Sequence, residues 1–341
     1  MKKSGIIFFI IIIIITGILR INFLLSPVDR NNDNQVSIKI NSGSSSIEIA
    51  DKLIDKGLVR SRLLFIFVIN FYGIDDKLQA GYYKFSYSDS LRQIIYDILR
   101  GKIATFKVSV PEGYNVEDIA ARLEEVTPYH KEDFLDIAKK TEMVSSIVEL
   151  PDSDNRKYPV EGFLYPDTYN IPLEYGPEKI IKEMIDQFKS KWKDELENYV
   201  SESEKKLDLD LYDYVIIASL IEKEAKLEQE KSIISAVIHN RMEQDMPLQI
   251  DASVQYILSE WKDRLMYNDL EEESPYNTYL FKGLPQGPIC SPGSKSLKAA
   301  LKPSDDDYLF YFALDDGSHV FTHTYREHID KQNQIQKEDI E

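Results

Sequence analysis

The first 25 residues of the chain are dominated by a single apolar run. Residues 5–25 are rich in isoleucine and carry one charge, Arg20. A helix of roughly 20 such residues crosses the hydrocarbon core of a bilayer, so the pattern predicts a membrane-spanning anchor at 5–25. Lys2 and Lys3 precede the run, and lysine beside a span favours the cytoplasmic side. We therefore expect residues 1–4 in the cytoplasm and everything beyond the anchor outside the cell membrane.

A cleaved signal peptide is the alternative interpretation of this run. Signal peptidases recognise small residues just after the apolar segment, and Ser26-Pro27-Val28 matches that requirement poorly. The uncleaved anchor is therefore favoured. Residues 26–35 are polar and predict a short linker between the anchor and the external part.

A strand–turn–helix pattern occurs twice in the next part of the chain, at an offset of 70 residues. In residues 38–53 and again in 108–123, alternating apolar positions lead through a glycine turn into an amphipathic helix. Ser44–Ser46 supply the helix cap in the first copy, and Asn115 supplies it in the second. A second helix is predicted to follow in each copy.

The first copy is completed by a predicted strand at 81–85 and a predicted helix at 90–99. A strand–helix–helix–strand unit of this size resembles the LysM-like modules that bind polymers of N-acetylglucosamine. A generic α/β spacer that happens to repeat explains the pattern equally well. We predict a small LysM-like α/β module at 36–105. Residues 106–150 are predicted to repeat its pattern.

The rest of the chain mixes helices with short strands, which predicts an α+β fold. The predicted elements are an ordered loop or strand-and-turn segment at 151–177, helices at 177–200 and 211–242, the second with a break near 228–231, and two strands at 308–314 and 319–324 around an Asp-Asp-Gly turn. Residues 106–330 are expected to form one mixed α+β region, and residues 331–341 a polar tail.

Charge and cysteine content exclude several classes of function. The 58 acidic residues outnumber the 41 basic ones, which gives a net charge of −17. Such a surface repels phosphate backbones, so no nucleic acid is expected as a partner. Cys290 is the only cysteine, which excludes a disulfide within the chain, and no base pattern accompanies it. His319 and His323 lie ~13 Å apart on a predicted strand, too far to share an ion, so we expect neither a metal nor a cofactor.

Two carboxylates stand at the end of a strongly apolar helix at 216–225. Glu222 and Glu224 point about 200° apart around this helix, so they belong to different surroundings. Three of the four residues one turn away from Glu222 are small, which leaves room for a ligand to approach its carboxyl group. The alternative is a solvated Glu222 that pairs with Lys226, four residues further on.

Loops after this helix combine aromatic, amide and hydroxyl side chains. A sugar ring needs a flat apolar surface and directed hydrogen bonds, which these groups supply. The candidates for sugar contact are Gln249, Asp251, Tyr256, Tyr276, Asn277 and Thr278. Turn chemistry explains each cluster alone, whereas their joint occurrence favours a carbohydrate site.

Across nearly its whole length the chain resembles the endolytic murein transglycosylases, the MltG or YceG-like family. The motifs that carry the resemblance are Val110–Gly113, Glu161–Tyr169, Ala218–Glu224, His239–Arg241, Leu248-Gln249 with Asp251, Tyr276–Tyr279, Gly283–Ile289, Ser291–Gly293 and Ser296–Ala300. By position, the resemblance assigns the catalytic role to Glu222 and adds Glu161 and Tyr165 to the candidate substrate-binding residues. The family usually has Asp-Pro-Thr at 251–253 and Asn-Pro-Gly at 291–293, so these two loops depart from its pattern.

The resemblance implies a catalytic region at 106–330 that cleaves the β-1,4 bond between N-acetylmuramic acid (MurNAc) and N-acetylglucosamine (GlcNAc) in nascent peptidoglycan strands, which ends their polymerisation. Glu222 would protonate the leaving oxygen and then take a proton from the MurNAc 6-hydroxyl, which closes a 1,6-anhydro ring without water. For that role Glu222 should lie in the wall of a cleft, among apolar residues such as Ile221. Asp251 is the best candidate for the second carboxylate that a water-using hydrolase would need.

The expected partners are peptidoglycan glycan strands, lipid of the inner membrane through the anchor, and peptidoglycan synthases. The alternative function is a non-catalytic peptidoglycan-binding scaffold of the cell-wall synthesis machinery. The anchor and the LysM-like repeats would serve a scaffold equally well, so Glu222 is the feature that favours an enzyme.

Overall fold

The computed structural model describes residues 2–151, 155–200, 207–260, 262 and 264–338. These residues fold into helices and two-stranded sheets, which confirms the α+β class. The chain divides into two compact units, residues 1–106 with 170–174 and residues 107–169 with 175–341.

The first unit begins with helix α1 (Lys2–Leu25), so the predicted anchor segment is helical. Within it, Ile6–Leu25 is long and apolar enough to cross a membrane. Its large apolar side chains are exposed, for example Phe8 at 66% and Leu19 at 64%. Contact of such a surface with water is strongly unfavourable, so the helix needs an apolar environment.

The remainder of the first unit is a small sheet covered by helices. In chain order its elements are β1 (Gln35–Ile40), α2 (Ser46–Asp55), α3 (Arg62–Tyr72), β2 (Gly81–Ser86) and α4 (Leu91–Arg100). Strands β1 and β2 run antiparallel, with Ile38 opposite Tyr83. Both of these residues are buried in one core with Phe65 of α3 and Ile94 of α4. The predicted strand–helix–helix–strand order is therefore present, and its kinship with LysM modules stays a prediction.

The second unit contains the longer and more irregular part of the chain. Its elements, including the two strands shared with the first unit, are β3 (Thr105–Ser109), α5 (Val116–Val126), α6 (Lys131–Ala138), β4 (Thr168–Pro172), α7 (Pro177–Lys191), α8 (Glu197–Val200), α9 (Leu211–Glu224), α10 (Lys231–Glu243), α11 (Asp251–Gln255), α12 (Tyr267–Leu270), α13 (Ser294–Leu301), β5 (Phe310–Ala313), β6 (His319–Thr322) and α14 (Tyr325–Glu338). Strand β3 pairs with β4, and β5 pairs with β6. Residues 152–154 of the predicted loop and 339–341 of the predicted tail lie outside the described residues.

Several predicted elements of the second unit are confirmed. Strands β5 and β6 form the expected antiparallel hairpin. The apolar segment at 211–242 is two helices, with the break at 225–230. The helix predicted for 177–200 is interrupted by a π-helical turn at Trp192–Leu196, which the apolar periodicity does not signal.

The two copies of the sequence repeat share their helix caps. At the start of α2, the hydroxyl of Ser45 accepts a hydrogen bond from the N–H of Glu48 at 3.3 Å. At the start of α5, the side chain of Asn115 accepts one from the N–H of Asp118 at 2.9 Å. Each acidic side chain also accepts from the N–H of its capping residue, which completes a capping box. The repeat of the sequence therefore extends to the local structure.

Helix α9 forms the centre of the second unit. Its seven residues from Val215 to Ile221 are all buried, because the helix packs against α10, α11 and α13. Gly162 has a φ of +84°, and a Cβ there would lie 2.7 Å from side-chain atoms of both Val215 and Pro288. Only glycine therefore allows the turn around residue 162 to pack this closely on α9.

The carboxyl group of Glu161 is enclosed beside this turn, with 1% of the residue exposed. Both of its oxygens lie 3.2 Å from the N–H of Val116 in the first turn of α5, and Oε2 accepts a 2.9 Å hydrogen bond from the hydroxyl of Tyr256. Burial raises the pKa of Glu161 to about 8. The residue therefore links α5 to the end of α11 as a largely neutral acid at neutral pH.

Glu161 should make the stability of the second unit depend on pH. The unfolded chain loses this proton near the ordinary pKa of 4.5, whereas the folded chain holds it until about 8. Its contribution to the free energy of unfolding is therefore complete below the lower value and is lost as the pH rises through the higher one. Glutamine stays neutral, so the free energy of unfolding of the Glu161→Gln variant should fall less than that of the wild type as the pH rises over this range. We expect the two losses to differ by a few kcal/mol at most. Urea unfolding of both proteins at about pH 5 and about pH 8 tests this, and equal losses would contradict it.

Candidate active site

Glu222 lies in the last turn of α9, with 9% of its side chain exposed. Its Oε2 accepts a 2.5 Å hydrogen bond from the hydroxyl of Ser296 and a 3.1 Å hydrogen bond from the N–H of Gly293. Both donors belong to the start of α13, and the N-terminus of a helix favours a neighbouring negative charge. The packing of α13 against α9 thus directs two donors at this one carboxyl group.

A buried lysine completes these surroundings. Lys231, the first residue of α10, places its Nζ 3.3 Å from Oε1 and 3.2 Å from Oε2 of Glu222. The same ammonium group donates to the hydroxyl of Ser296 at 2.8 Å, and 8% of the Lys231 side chain is exposed. The structure thus pairs Glu222 with Lys231 and not with Lys226. The apolar surroundings expected for the carboxyl group are replaced by three polar donors.

A second buried carboxylate holds the start of α10. Glu230, which precedes Lys231, accepts a 3.0 Å hydrogen bond from the backbone N–H of His319, and its Oε2 lies 2.7 Å from the Nδ1 of the same histidine. Glu230 is buried, and 5% of the His319 side chain is exposed. This contact ties α10 to β6, so it positions Lys231 beside Glu222.

An open cleft of about 620 Å³ runs past Glu222. The size lies within the usual range of ligand sites in proteins. The cleft is lined by Glu112, Gly113, Tyr114, Asp118, Ala121, Arg122, Glu125, Glu222 and Lys223. Glu222 therefore lies in a cleft wall, with the loop before α5 and one face of α5 as the other lining elements.

Glu112 is a candidate that the sequence analysis did not select. The loops that contain Glu112 and Gly293 run side by side, joined by hydrogen bonds between Ser291 and the backbone of Gly113 and Tyr114. A Cβ built on Gly293 would lie 2.1 Å from the carboxyl carbon of Glu112, so this carboxyl group rests against Gly293. Because the N–H of Gly293 also binds Glu222, two carboxyl groups meet at one glycine. Glu112 belongs to the Val-Pro-Glu-Gly motif, which was the available signal.

Several predicted sugar-binding residues have internal partners instead. Asn277 is fully buried, and its amide donates to the carbonyls of Leu270 and Glu272 at 3.0 and 2.9 Å. Thr278 is 1% exposed and accepts a 2.9 Å hydrogen bond from the N–H of Ile250. Both side chains therefore stabilise their own loops in this conformation, and direct sugar contact stays a prediction for them.

The aromatic candidates form a packed group. Tyr276 is 3% exposed, and its ring lies 5.0 Å from that of Tyr256, whose hydroxyl binds Glu161 as described above. Tyr165 is also buried, and its hydroxyl lies 2.6 Å from that of Ser294, the first residue of α13. Tyr165 thus contacts α13, the helix whose Ser296 binds the carboxyl group of Glu222, and does not contact that carboxyl group itself.

Gln249 and Asp251 are the exposed members of the predicted set. Gln249 adopts a left-handed backbone conformation with a φ of 52°, and Asp251 accepts a hydrogen bond from the hydroxyl of Tyr279. Neither residue lines the cleft of Glu222, so Asp251 is not placed there as a second carboxylate. The other carboxyl groups that line this cleft belong to Glu112, Asp118 and Glu125, and that of Glu112 shares Gly293 with Glu222.

Two further reactive groups lie in different surroundings from Glu222. Glu224 accepts a 2.9 Å hydrogen bond from the hydroxyl of Tyr311, and burial raises the pKa of its carboxyl group. This agrees with the opposite directions expected for the two glutamates. Cys290 is fully buried, and burial raises the pKa of its thiol well above the ordinary value, which disfavours a nucleophilic role.

Comparison with known proteins places the chain in one family. The YceG-like family matches residues 38–334. A Bacillus subtilis protein named endolytic murein transglycosylase is 37% identical over an alignment of 317 residues, and the match covers 89% of this chain and 86% of that protein. A longer Streptococcus pneumoniae protein of the same name is 28% identical, and the match covers 89% of this chain and 59% of that protein. The crystal structure of a YceG-like protein from Listeria monocytogenes is 32% identical, with a TM-score of 0.60 over 87% of this chain and 99% of that chain. The chain therefore belongs to the YceG-like family.

Proposed function

We propose that the chain is an endolytic lytic transglycosylase of peptidoglycan that cleaves the MurNAc-β-1,4-GlcNAc bond and leaves 1,6-anhydro-MurNAc ends. The observation that carries the proposal is the carboxyl group of Glu222, which lies in a cleft wall and is held by three donors. Relatives named endolytic murein transglycosylase support the substrate class. Cutting inside a nascent strand would end its polymerisation.

The surroundings of Glu222 suit the first proton transfer. The carboxylate that pairs with Lys231 must first take up a proton from solvent. Glu222 then gives this proton to the glycosidic oxygen as the bond to C1 of MurNAc breaks, and GlcNAc leaves with a new hydroxyl group. The carboxylate that results is stabilised by the Lys231 ammonium and by the hydrogen bonds from Gly293 and Ser296. These interactions strengthen as negative charge develops, so they lower the barrier more than they favour the bound substrate.

The second proton transfer gives Glu222 a proton again. The 6-hydroxyl of the same MurNAc attacks C1, and Glu222 takes the proton that this hydroxyl loses. Since the attacking group belongs to the substrate, no water and no nucleophilic side chain are needed. Glu112 lies across Gly293 from Glu222. Its negative charge stabilises the positive charge that develops on the sugar ring between the two steps.

The anchor and the first unit complete the proposed function. Helix α1 is long and apolar enough to span the inner membrane, with Lys2 and Lys3 on the cytoplasmic side and the second unit outside. The strand–helix–helix–strand unit at 36–105 serves as a LysM-like glycan-binding module. Peptidoglycan synthases are the proposed protein partners, because they make the strands that the enzyme cuts.

Products of strand cleavage test the assignment of Glu222. Full-length protein in detergent, incubated with purified glycan strands, is expected to yield 1,6-anhydro-MurNAc ends detectable by mass spectrometry. Glu222→Gln should lower this rate by roughly 10²-fold or more, because the amide cannot donate and recover the proton. Glu228→Gln, which changes an exposed carboxylate nearby, should leave it unchanged. Reducing ends from the wild type would contradict a lytic reaction, and binding without any cleavage would favour a scaffold.

The buried pair of Glu222 and Lys231 should show strong coupling in stability. Glu222→Gln leaves an ammonium group unpaired and Lys231→Met leaves a carboxylate unpaired, so each is expected to cost about 3–5 kcal/mol of unfolding free energy. The double variant leaves neither charge and should be more stable than either single variant. Urea unfolding of the four proteins measures the coupling. Losses that simply add in the double variant would show that the pair does not interact as described.

Displacing Glu112 should reduce turnover without unfolding the protein. Gly293 has a φ of −79°, which alanine adopts freely, but the new Cβ would occupy the space of the Glu112 carboxyl group. We expect Gly293→Ala and Glu112→Gln each to lower kcat by roughly 10- to 100-fold, and the double variant to be no worse than either.

Gly176→Ala is the matched control for Gly293→Ala. Gly176 also precedes a helix, has a φ of −81°, and has nothing within 4 Å of a built Cβ. This variant should keep wild-type turnover. Full activity of Glu112→Gln in the same assay would remove Glu112 from the reaction.

A further inference from the structure

Helix α3 presents a stripe of large apolar side chains to the outside of the first unit. Leu63, Phe67 and Phe71 follow one another at intervals of four residues and are 75%, 61% and 71% exposed. Tyr72, at the end of the helix, is 69% exposed. The opposite face is the one that fills the core, where Phe65 and Ile69 are fully buried. The outer stripe therefore takes no part in filling the core of the unit.

The composition of this stripe suits the boundary of a bilayer. The helix contains no acidic residue in its sequence Arg62–Tyr72. The rings of Phe67 and Phe71 stack at 5.8 Å, and Tyr72 meets Phe71 edge-on at 5.3 Å. Aromatic side chains concentrate where hydrocarbon meets headgroups, and an apolar face on a surface helix is typical of interfacial binding.

The position of α3 relative to α1 identifies the surface that covers the stripe. Arg60, two residues before α3, donates hydrogen bonds to the carbonyls of Pro27 and Val28 at 2.9 and 2.7 Å. Its guanidinium group lies 4.3 Å from the ring centre of Phe23, near the end of α1. Leu25, the last residue of α1, packs against the core of the unit. Helix α3 therefore begins beside the outer end of the apolar α1 segment.

We propose that α3 is an interfacial helix, which inserts Leu63, Phe67 and Phe71 into the outer leaflet of the membrane that α1 spans. This inference rests on the anchor of the proposed function. If α1 crosses the bilayer, its end at Phe23–Leu25 lies at the headgroups, and the start of α3 is fixed at the same depth by Arg60. The apolar stripe then continues the apolar surface of α1 into the same lipid. The first unit is held to the membrane by two contacts.

Quenching by labelled lipids tests the insertion in the full-length protein. Single cysteines at Phe67 and Phe71 carry an environment-sensitive fluorophore, and the protein is reconstituted in phosphatidylcholine–phosphatidylglycerol vesicles with a quencher near the headgroups. The native Cys290 is buried and stays unlabelled. Lys84→Cys, on the outward face of β2, is the matched control. We expect several-fold stronger quenching at both α3 positions than at Lys84.

Further variants distinguish a failure of the interfacial helix α3 from a failure of the α1 anchor. A label at Ile10→Cys reports on α1: if it is quenched by mid-bilayer quenchers while the α3 labels behave like Lys84, the interfacial helix is wrong and the anchor stands. If Ile10 is not quenched either, the anchor fails as well. Phe67→Glu with Phe71→Glu should reduce the quenching of a label at Leu63→Cys to the control value. Cross-linking of two α3 cysteines between copies, without lipid quenching, would overturn the proposal in favour of a second copy of the chain.

Discussion

Glu222 and Lys231 are opposite charges that are both almost entirely removed from water, and neither would be stable in its position alone. The pair requires three chain segments to meet: the end of α9, the start of α10 and the start of α13, which supplies the hydroxyl of Ser296 between them. Each of these ends is in turn positioned by buried contacts, such as the Glu230–His319 interaction for α10. The ion pair at the centre of the proposed mechanism is therefore also a contact at which the three helices converge.

The donors around Glu222 have a definite chemical bias. All of them donate hydrogen bonds to its carboxyl oxygens, and in the proposed mechanism they stabilise the carboxylate that the first proton transfer leaves. An acid with this environment is well suited to a step in which charge develops on its own oxygens. Glu112 adds negative charge on the other side of Gly293, where a positively charged sugar ring would be stabilised. In the proposed mechanism, Gly293 thus separates the carboxyl group that transfers protons from the one that stabilises the sugar ring.

The local structure could largely be predicted from the sequence. Alternating residues in β1 and β2, the capping residues Ser45 and Asn115, and the break between α9 and α10 depend on neighbours in the chain, and the sequence displays those neighbours directly. The small residues one turn from Glu222 were likewise visible. They predicted that a ligand has room to approach the carboxyl group of Glu222.

The partners of Glu222 could not be predicted in the same way. Ser296 and Gly293 lie more than 70 residues further along the chain, and no periodicity relates them to α9. The sugar-binding candidates illustrate the opposite difficulty. Asn277 and Thr278 have the chemistry of a carbohydrate site, but irregular loops also need such groups to satisfy their own backbone. Only the fold decides whether a polar side chain faces its loop or a ligand.

The bonds between Arg60 and the residues after α1 have a consequence for how the protein would find its substrate. A freely jointed linker lets a domain explore a hemisphere above its attachment point. Here the chain leaving α1 is fastened to the first unit, so that unit would drift with the lipids and sample a thin layer. In such a layer a strand that is still attached to the membrane has a high effective concentration, whereas one released into the wall has almost none. The reach of the first unit would then decide which strands this unit meets, before any feature of the glycan is recognised.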